Sequence, residues 1–309
     1  MIAAFAPGTV SNVGPGFDVL GFALDEPGDV VSAEGREEAG VEIVAIEGDA
    51  GQLSHDPRKN TAGAAVEALL TRLGTLRGVR LRIYKGLPLA SGVGSSGASA
   101  VAALVAANEL LGRPAPFDLL LDCAMAGEIA GCGSAHPDNV APALYGGFVL
   151  ARSSRPADLV HLPVPDGLSC AVLHPHLMVE TGSARQLLGE SVPLTSAVRQ
   201  WGNLGALVAG LFQNDLRLIS RALEDHVAEP RRAHLVPALG LVKQAATAAG
   251  ALGCGLSGSG PSMFAICDSL DGANAAGLAM REAFARSVDV PADLWISAVG
   301  GRGARVLTT

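Results

Sequence analysis

The sequence predicts a protein of two domains in which helices pack on β-sheets, in the α+β or α/β class. Strand-like and helix-like segments alternate in both halves of the chain, and this pattern is typical of such folds. The chain has 309 residues, a length that ordinarily corresponds to two domains. A polar segment with a proline, residues 152–158, gives the best boundary. We therefore predict domains at residues 1–154 and 155–309.

Hydrophobic periodicity defines the individual elements. Residues 30–48 are rich in valine and divide at a charged turn, which predicts a pair of strands. Residues 60–73 repeat apolar side chains at helical spacing, with Asn60 or Thr61 as the candidate cap. Further segments with strand character are 78–89, 145–151, 168–175, 261–268 and 294–301. Further segments with helical character are 95–112, 117–130, 183–188, 197–213, 215–227 and 235–252.

Composition excludes several classes of protein. The formal net charge is −8 and the chain has no basic run, so we expect neither a nucleic-acid nor a membrane-surface partner. The longest apolar stretches, residues 98–107 and 204–212, are too short to cross a bilayer. The five cysteines are scattered without a CxxC pair, which disfavours a zinc site or a disulfide scaffold. The amino terminus lacks the pattern of a signal peptide, and we expect a cytoplasmic protein.

A loop rich in glycine and serine gives the first chemical signal. In LPLASGVGSSGASA, residues 87–100, a strand ends, glycines follow, and a helix begins near Ser95 or Ser96. Free backbone N–H groups at such a helix end suit a phosphate. The loop is not a Walker A loop, because no lysine follows the glycines, and it lacks the acidic partner of a dinucleotide fingerprint. A simple turn is the alternative for this loop and for a similar one, GCGLSGSGPSMFAI, at residues 253–266.

Two further segments concentrate polar residues. The opening stretch SNVGPGFDVLG, residues 11–21, places Asn12 and Asp18 in a glycine-containing loop. Residues 126–148 contain Glu128, which could complete a Mg²⁺ site with a serine of the glycine-rich loop. The same segment contains His136 and Asn139 on either side of a proline turn. A surface or capping role is the alternative for His136, and an Asx-turn is the favoured interpretation of Asp138.

Three of these segments together resemble the GHMP kinases, and they occur in the order typical of that family. They are PGTVSNVGPGFD, GVGSSGAS and GLSGSGPSMFA. Within the family, the chain is most similar to the branch that phosphorylates homoserine, as judged by NVGPGFDVLG, HPDNVAPALYGGF, ETGSARQLL and HVAEPRR. Other members usually carry an acidic catalytic base near the position of Asn139. Gly97 stands where alanine is usual, and Pro137 where a small residue is common.

The resemblance implies a fold and an activity. It implies an α+β fold, with an amino-terminal domain like ribosomal protein S5 domain 2, a ferredoxin-like carboxy-terminal domain, and ATP bound between them. The implied reaction is ATP-dependent phosphorylation of the side-chain hydroxyl of L-homoserine to O-phospho-L-homoserine, a step of threonine biosynthesis. A homodimer is common in the family. The main rival is a kinase for an acceptor that lacks an ammonium group, such as mevalonate, and Asp18 disfavours it. A second rival, a non-catalytic nucleotide-binding protein, is disfavoured by the intact Ser96, Glu128 and Asn139.

The resemblance also implies a role for each matching residue. Asn60 would contact adenine, and the triphosphate would lie against Lys85, Pro88, Leu89, Ala90, Ser91, Gly92, Val93, Gly94, Ser95, Ser96, Gly97 and Ser99. Mg²⁺ would be held by Ser96 and Glu128. The homoserine pocket would consist of Asn12, Asp18, His136, Asn139, Arg185 and Arg232. Asn139, Thr181 and Arg185 would act in catalysis, and Arg231 is the alternative register for Arg232.

Asn139 has a chemical consequence of its own. An amide cannot accept a proton as a carboxylate does. We therefore predict catalysis without a protein general base, in which the hydroxyl proton passes to a γ-phosphoryl oxygen. His136 as the base is the alternative.

Overall fold

Two β-sheets organise the chain. The computed structural model describes residues 1–154 and 156–308, without the side chains of Cys132 and Thr181. The strands are β1 (Ile2–Ser11), β2 (Leu20–Arg36), β3 (Gly40–Glu47), β4 (Gly78–Tyr84), β5 (Phe148–Ser154), β6 (Ala157–Leu162), β7 (Ser169–Pro175), β8 (Gly253–Leu256), β9 (Met263–Cys267), β10 (Ala292–Ala298) and β11 (Arg305–Leu307). The helices are α1 (Thr61–Leu73), α2 (Ser95–Leu110), α3 (Phe117–Cys132), α4 (Pro137–Tyr145), α5 (Thr181–Gln186), α6 (Leu194–Gln213), α7 (Leu216–Ala222), α8 (Glu229–Arg232), α9 (Leu239–Ala248) and α10 (Leu270–Ser287).

The larger sheet has seven strands, which are β1 to β6 and the last strand of the chain, β11. Its main order is β11-β1-β2-β4-β3, and the β5–β6 hairpin joins through β5 to β2. Helix α2 contacts β1 and β2 as well as helices α1, α3 and α4. Most residues of α2 are alanine or another small side chain, and nearly all are buried. Small side chains let the helix approach the sheet closely, and its first turn is thereby fixed against the end of β1.

The smaller sheet is antiparallel, with the order β10-β7-β9-β8. Strands β7 and β9 are buried along their whole length. Helix α10 packs on β7, β9 and β10, and α9 packs on β8 and β9. Buried apolar side chains such as Leu173, Met263 and Phe284 form a second core between these helices and this sheet. The mixed class of sheets and helices predicted from the sequence is confirmed.

The predicted domain boundary falls at a hairpin. Ser154 is the last residue of β5, which pairs antiparallel with β6. Strands β6 and β11 both belong to the seven-stranded sheet, so the second half of the chain contributes two strands to it. Arg155 lies outside the described residues. The boundary remains a prediction.

Two predicted helices are shorter than the periodicity suggested. The helix predicted over 215–227 ends as α7 at Ala222. Beyond it, the Asp225 carboxylate accepts hydrogen bonds from the backbone N–H groups of Val227, Ala228 and Glu229, which starts α8 as a separate turn. The helix predicted over 235–252 begins only at Leu239, because Ala238 adopts a left-handed φ of 59°.

No helix in the part of the chain that the structure describes is both long enough and apolar enough to span a bilayer.

Candidate active site

A cavity of about 570 Å³ collects most of the predicted site residues. Its walls come from the loop after β1, the glycine-rich loop before α2, the end of α3, the start of α4, α5, and the loop after β8. The predicted residues that line it are Asn12, Asp18, Asn60, Lys85, Leu89, Ala90, Ser91, Gly92, Gly94, Ser95, Ser96, Ser99, Glu128, His136, Asn139, Arg185 and Arg232. Residues far apart in the sequence therefore share one cavity.

Three residues predicted around the triphosphate do not line the cavity. Val93 is fully buried in the core, and Gly97 faces Val140 of α4. The backbone carbonyl of Pro88 accepts a hydrogen bond from the Ser91 hydroxyl at 2.7 Å. These residues support the shape of the loop. The predicted catalytic Thr181 begins α5, and its side chain lies outside the described part of the chain.

The glycine-rich loop presents a helix end to the cavity. Gly94 precedes α2 with a left-handed φ of 69° and offers no side-chain cap. The backbone N–H groups of the first turn therefore have no partner within the helix and are available to an anion. Gly92 also has a positive φ, and a Cβ atom there would lie 2.5 Å from the Ser257 carbonyl oxygen. Glycine is required at this position by both conformation and space.

The second glycine-rich loop supports the first. The Ser257 hydroxyl donates to the Gly92 carbonyl oxygen at 2.7 Å. Gly258 and Ser259 line the cavity. The Gly258 carbonyl oxygen accepts hydrogen bonds from the side chains of Asn12 and Arg232, at 2.7 and 3.2 Å. This loop is the turn between the paired strands β8 and β9, as one interpretation of the sequence expected, and it also lines the cavity.

A buried cluster anchors the start of α2. The Lys85 ammonium forms an ion pair with Asp29 and donates to the Ser95 carbonyl and the Ser99 hydroxyl, at 3.0 and 2.8 Å. The Ser99 hydroxyl in turn donates to Asp29 at 2.6 Å. An ammonium group has three donors, and all three are engaged here. Lys85 and Ser99 therefore hold the helix end in place, while its backbone faces the cavity. Sequence reasoning missed Asp29, whose only signal is an acidic residue next to an apolar run in β2.

Asn60 is the cap of α1. Its side-chain oxygen accepts a hydrogen bond from the Ala62 N–H, and its amide nitrogen donates to the Ser54 carbonyl, both at 3.0 Å. The capping role expected from the sequence is confirmed. Both polar groups of the amide are engaged in this way, so its contact with adenine remains a prediction.

Glu128 and Ser96 lie together on the cavity wall, where the sequence predicts a cation. Glu128 is 2% exposed, and its Oε1 atom has no partner among the described residues. Burial raises the pKa of Glu128 to about 7, against the opposing effects of a Ser96 hydrogen bond and the Lys85 charge. No cluster of three or more acidic, histidine or cysteine ligands occurs among the described residues. A carboxylate, a hydroxyl, phosphate oxygens and waters are a donor set that fits Mg²⁺.

The opposite end of the cavity carries the charged groups expected to bind the acceptor. Asp18 and Arg185 were expected to contact opposite ends of a zwitterion, and in the structure they form an ion pair with each other at 2.5 Å. The guanidinium groups of Arg185 and Arg232 lie over the Phe17 ring, 5.8 and 5.3 Å from its centre. Both arginines thus face the loop that carries Asp18.

Arg232 is the arginine of α8 that reaches the cavity. It is 3% exposed, and it donates to the carbonyl oxygens of Ala184 and Gly258, both at 3.2 Å. Burial lowers its pKa from the ordinary value. Arg231 instead donates to carbonyl oxygens after α5. The structure favours the register of Arg232.

The loop after β1 has a strained backbone that Asn12 stabilises. Asn12, Val13 and Asp18 have positive φ values of 69°, 41° and 59°. The Asn12 side-chain oxygen accepts a hydrogen bond from the Asp18 N–H at 3.1 Å, while its amide nitrogen donates to Gly258. Asn12 therefore bridges this loop to the second glycine-rich loop and fixes where Asp18 points.

The start of α4 contributes three polar side chains. The His136 Nε2 atom lies 2.8 Å from the Ser134 hydroxyl, and burial lowers the pKa of His136. Asn139 is half-buried and accepts a hydrogen bond from the Thr9 hydroxyl at 3.1 Å. Asp138 was expected in a simple Asx-turn. It is instead buried in the cavity wall, with its Oδ1 atom unpartnered among the described residues and its pKa raised to about 7 by burial and by Asp18.

Comparisons with known proteins agree with this geometry. The family described as "GHMP kinases N terminal domain" matches residues 60–147, and "GHMP kinases C terminal" matches residues 207–286. The homoserine kinase of Chlorobium phaeovibrioides is 50% identical to this chain over 99% of each protein. The homoserine kinase of Xanthomonas campestris is 41% identical, and the match covers 98% of this chain and 93% of that protein.

Solved structures show the same fold. A homoserine kinase from Cytophaga hutchinsonii superposes with a TM-score of 0.96 at 49% identity, covering 99% of this chain and 97% of its own. The mevalonate kinase of L. major, at 17% identity and a TM-score of 0.72 over 96% of each chain, shares the fold. The predicted two-domain fold is confirmed. The chain belongs to the GHMP kinase family and, within it, to the homoserine kinases.

Proposed function

We propose that this protein transfers the γ-phosphoryl group of ATP to the side-chain hydroxyl of L-homoserine, forming ADP and O-phospho-L-homoserine, a step of threonine biosynthesis. The observation that carries the proposal is the charge pattern of one cavity. A helix end with free N–H groups lies at one end, and a carboxylate with two guanidinium groups lies at the other. The homology to homoserine kinases supports the same acceptor.

The phosphate chain of ATP would lie along residues 88–99. The first turn of α2 supplies backbone donors, and the helix dipole favours negative charge at this point. The Ser95 and Ser96 side chains line the same wall. Phosphoryl transfer depends on positioning and charge neutralisation more than on covalent participation of the protein. A rigid, preorganised loop meets that need.

Mg²⁺ would bind at Ser96 and Glu128. The unpartnered, buried Oε1 atom of Glu128 supports this assignment, because a buried carboxylate oxygen ordinarily has a partner. A bound divalent cation would neutralise charge on the phosphoryl oxygens. Because burial raises the pKa of Glu128, a cation that binds there would compete with a proton for the carboxylate.

Homoserine would enter by exchange of ion pairs. Its α-ammonium group would replace the Arg185 guanidinium at Asp18, and its α-carboxylate would take up Arg185 and Arg232. Each charge then keeps an opposite partner, and the buried Arg232 gains one in the substrate carboxylate. Guanidinium groups suit this carboxylate because they bind it through two parallel hydrogen bonds. The acceptor's hydroxyl would then lie toward Asn139, between the two ends of the cavity.

The transfer balances without a protein base. The hydroxyl oxygen attacks the γ-phosphorus, the bond to the bridging β,γ-oxygen breaks, and its electron pair leaves with ADP. The hydroxyl proton passes to an oxygen of the transferred phosphoryl group. His136 is the alternative acceptor of that proton, and its lowered pKa keeps it neutral near pH 7. An ionisation in the kcat profile that disappears in His136→Ala would identify histidine as the base, whereas an unchanged profile supports transfer without one.

The proposal is tested by ADP release in the presence of ATP and Mg²⁺. We expect turnover with L-homoserine and only background rates with mevalonate, with galactose, and without an acceptor. A non-catalytic nucleotide-binding protein would give background rates throughout. Turnover with another acceptor but none with homoserine would overturn the proposed substrate.

We also infer a homodimer that forms through the exposed face of α6. Leu194, Val198, Trp201 and Phe212 lie on one side of this helix and are 54–70% exposed. Exposed apolar patches of this kind mark interaction surfaces. Sedimentation velocity should give a dimer for the wild type and a monomer for Trp201→Glu. The matched control is Leu278→Glu. Leu278 is an exposed leucine on α10, and its substitution should leave the dimer intact. A monomeric wild type would contradict the inference.

The described cysteines are free and buried, and with the use of ATP this agrees with the predicted cytoplasmic location.

A further inference from the structure

Thr9 lies where three parts of the site meet. It is fully buried near the end of β1, directly after the irregularity in the pairing of β1 with β2. Its backbone N–H donates to the Val93 carbonyl of the glycine-rich loop at 3.0 Å. Its hydroxyl donates to the side-chain oxygen of Asn139 at 3.1 Å. One residue therefore contacts both the phosphate loop and the proposed catalytic amide.

The hydrogen bond determines which end of the Asn139 amide faces the cavity. The oxygen is engaged by Thr9, and the Nδ2 group has no acceptor among the described residues. Asn139 lines the cavity, so its free N–H donors are the groups presented to a ligand. A donor at this point stabilises negative charge that develops on the attacking or transferring oxygen.

The surrounding structure leaves Thr9 and Asn139 little freedom. A Cβ atom on Gly94 would lie 2.2 Å from the Thr9 hydroxyl and 3.1 Å from the Asn139 oxygen. Gly94 is the residue that precedes α2, so the phosphate-binding helix end packs directly against this hydrogen bond. The contact couples the position of the loop to the orientation of the amide.

We propose that Thr9 is a positioning residue that orients Asn139 as a hydrogen-bond donor to the oxygen atoms of the transfer reaction. The inference rests on the proposed phosphoryl transfer. Thr9 itself reaches neither substrate. Without its hydroxyl, the amide loses the partner that fixes its orientation, and the donor is correctly placed for only part of the time. A donor that is correctly placed for only part of the time lowers kcat more than it weakens substrate binding.

The test compares Thr9→Val, which keeps the shape and removes the hydroxyl, with Thr9→Ser, which keeps the hydroxyl. We expect Thr9→Val to lower kcat about 10- to 100-fold, with KM for ATP changed by less than about twofold. Thr9→Ser should retain most of the wild-type kcat. Equal losses in both variants, or no loss in Thr9→Val, would overturn the proposal. Absence of homoserine turnover in the wild type would instead overturn the proposed function.

A double-mutant cycle covers the case in which Thr9→Val folds poorly. If Thr9 acts through Asn139, the Thr9→Val substitution should have almost no further effect on kcat in an Asn139→Ala background. A purely structural role would give the same fold-loss in both backgrounds. Asn139→Asp removes the donor and adds an acceptor, and we expect it to be at least as impaired as Asn139→Ala. Wild-type kcat in Asn139→Asp would contradict the role as donor.

Discussion

The two ends of the cavity are built in different ways. The phosphate end consists mainly of backbone, from residues 88–99, and is held by a buried cluster of Lys85, Asp29 and Ser99. The acceptor end consists of charged side chains that come from distant parts of the chain, such as Asp18 and Arg185. One end is therefore preorganised by its local fold, whereas the other holds an internal ion pair that, in the proposed reaction, the substrate replaces. Substitutions at the two ends should affect different kinetic parameters.

The largest effect is expected at the phosphate end, from Glu128→Gln. The amide keeps the shape and loses the charge that would hold Mg²⁺, so kcat should fall about 100- to 1,000-fold. ADP release measured over a range of Mg²⁺ concentrations checks this. Glu224→Gln, an exposed glutamate, serves as the control and should behave as the wild type. If Glu128→Gln has wild-type activity at the same Mg²⁺ concentration, Glu128 is not a ligand of the cation.

The next effect is expected at the acceptor end, from Asp18→Asn. Loss of the carboxylate removes the partner of the substrate ammonium, so KM for homoserine should rise about 10- to 100-fold. KM for ATP should change by less than about twofold, since the phosphate end has its own support. Steady-state kinetics with each substrate varied in turn provide the measurement. Equal losses for both substrates would show that the two ends are not separable.

A smaller effect should appear in the pH dependence of stability. Burial raises the pKa of both Glu128 and Asp138 to about 7, so the folded state holds protons that the unfolded state releases above pH 4 to 5. The contribution of these two groups to the free energy of unfolding is present at low pH and is lost as the pH rises toward and through 7. Asp138→Asn removes one such group. Its Tm relative to the wild type should therefore increase by about a few degrees between pH 5 and pH 8.

The comparison of Asp138→Asn with the wild type removes effects common to both proteins. His174 has a pKa lowered to about 4 by burial and gives the opposite slope, but it is present in both. Thermal unfolding at pH 5, 6, 7 and 8, without ligands, provides the data. A Tm difference that is constant or that decreases with pH would contradict a raised pKa for Asp138.

The smallest effect is expected from the cap of α1. Asn60→Ala should lower the free energy of unfolding by about 1 kcal/mol, whereas Asn60→Ser keeps a capping oxygen and should lose less. The serine variant also tests the predicted adenine contact. An increase in KM for ATP without a loss of Tm would support that contact. Unchanged KM in Asn60→Ser would leave capping as the role of Asn60.

The sequence predicted the phosphate end better than the acceptor end. Glycines that need a left-handed φ, such as Gly92 and Gly94, are a local signal, and their place before a helix predicts an anion site directly. The strand and helix pattern likewise follows from local periodicity. The helices predicted from this periodicity extend past the end of α7 and begin before the start of α9. The hydrogen bonds of the Asp225 side chain follow the end of α7, and the left-handed Ala238 precedes the start of α9.

The features of the site that the sequence did not predict depend on contacts between distant residues, which no local pattern encodes. The pairing of Asp18 with Arg185 joins residues 167 positions apart, and the contact of Thr9 with Asn139 joins residues 130 apart. Asp138 looked like a turn residue because its neighbours are proline and asparagine. It is buried against the loop after β1 and against Gly21 at the start of β2. The resemblance to the family named most residues of the acceptor end, but it did not indicate how they pair without substrate.

The central claim is that charged side chains at the acceptor end select an amino acid, and one measurement tests it most directly. The kcat/KM for L-homoserine is compared with that for 4-hydroxybutanoate, which lacks the ammonium group, in the wild type and in Asp18→Asn. We expect a preference of about 100-fold or more in the wild type, with most of it lost in the variant because homoserine becomes the poorer substrate. An equal preference in both proteins would show that Asp18 does not recognise the ammonium group.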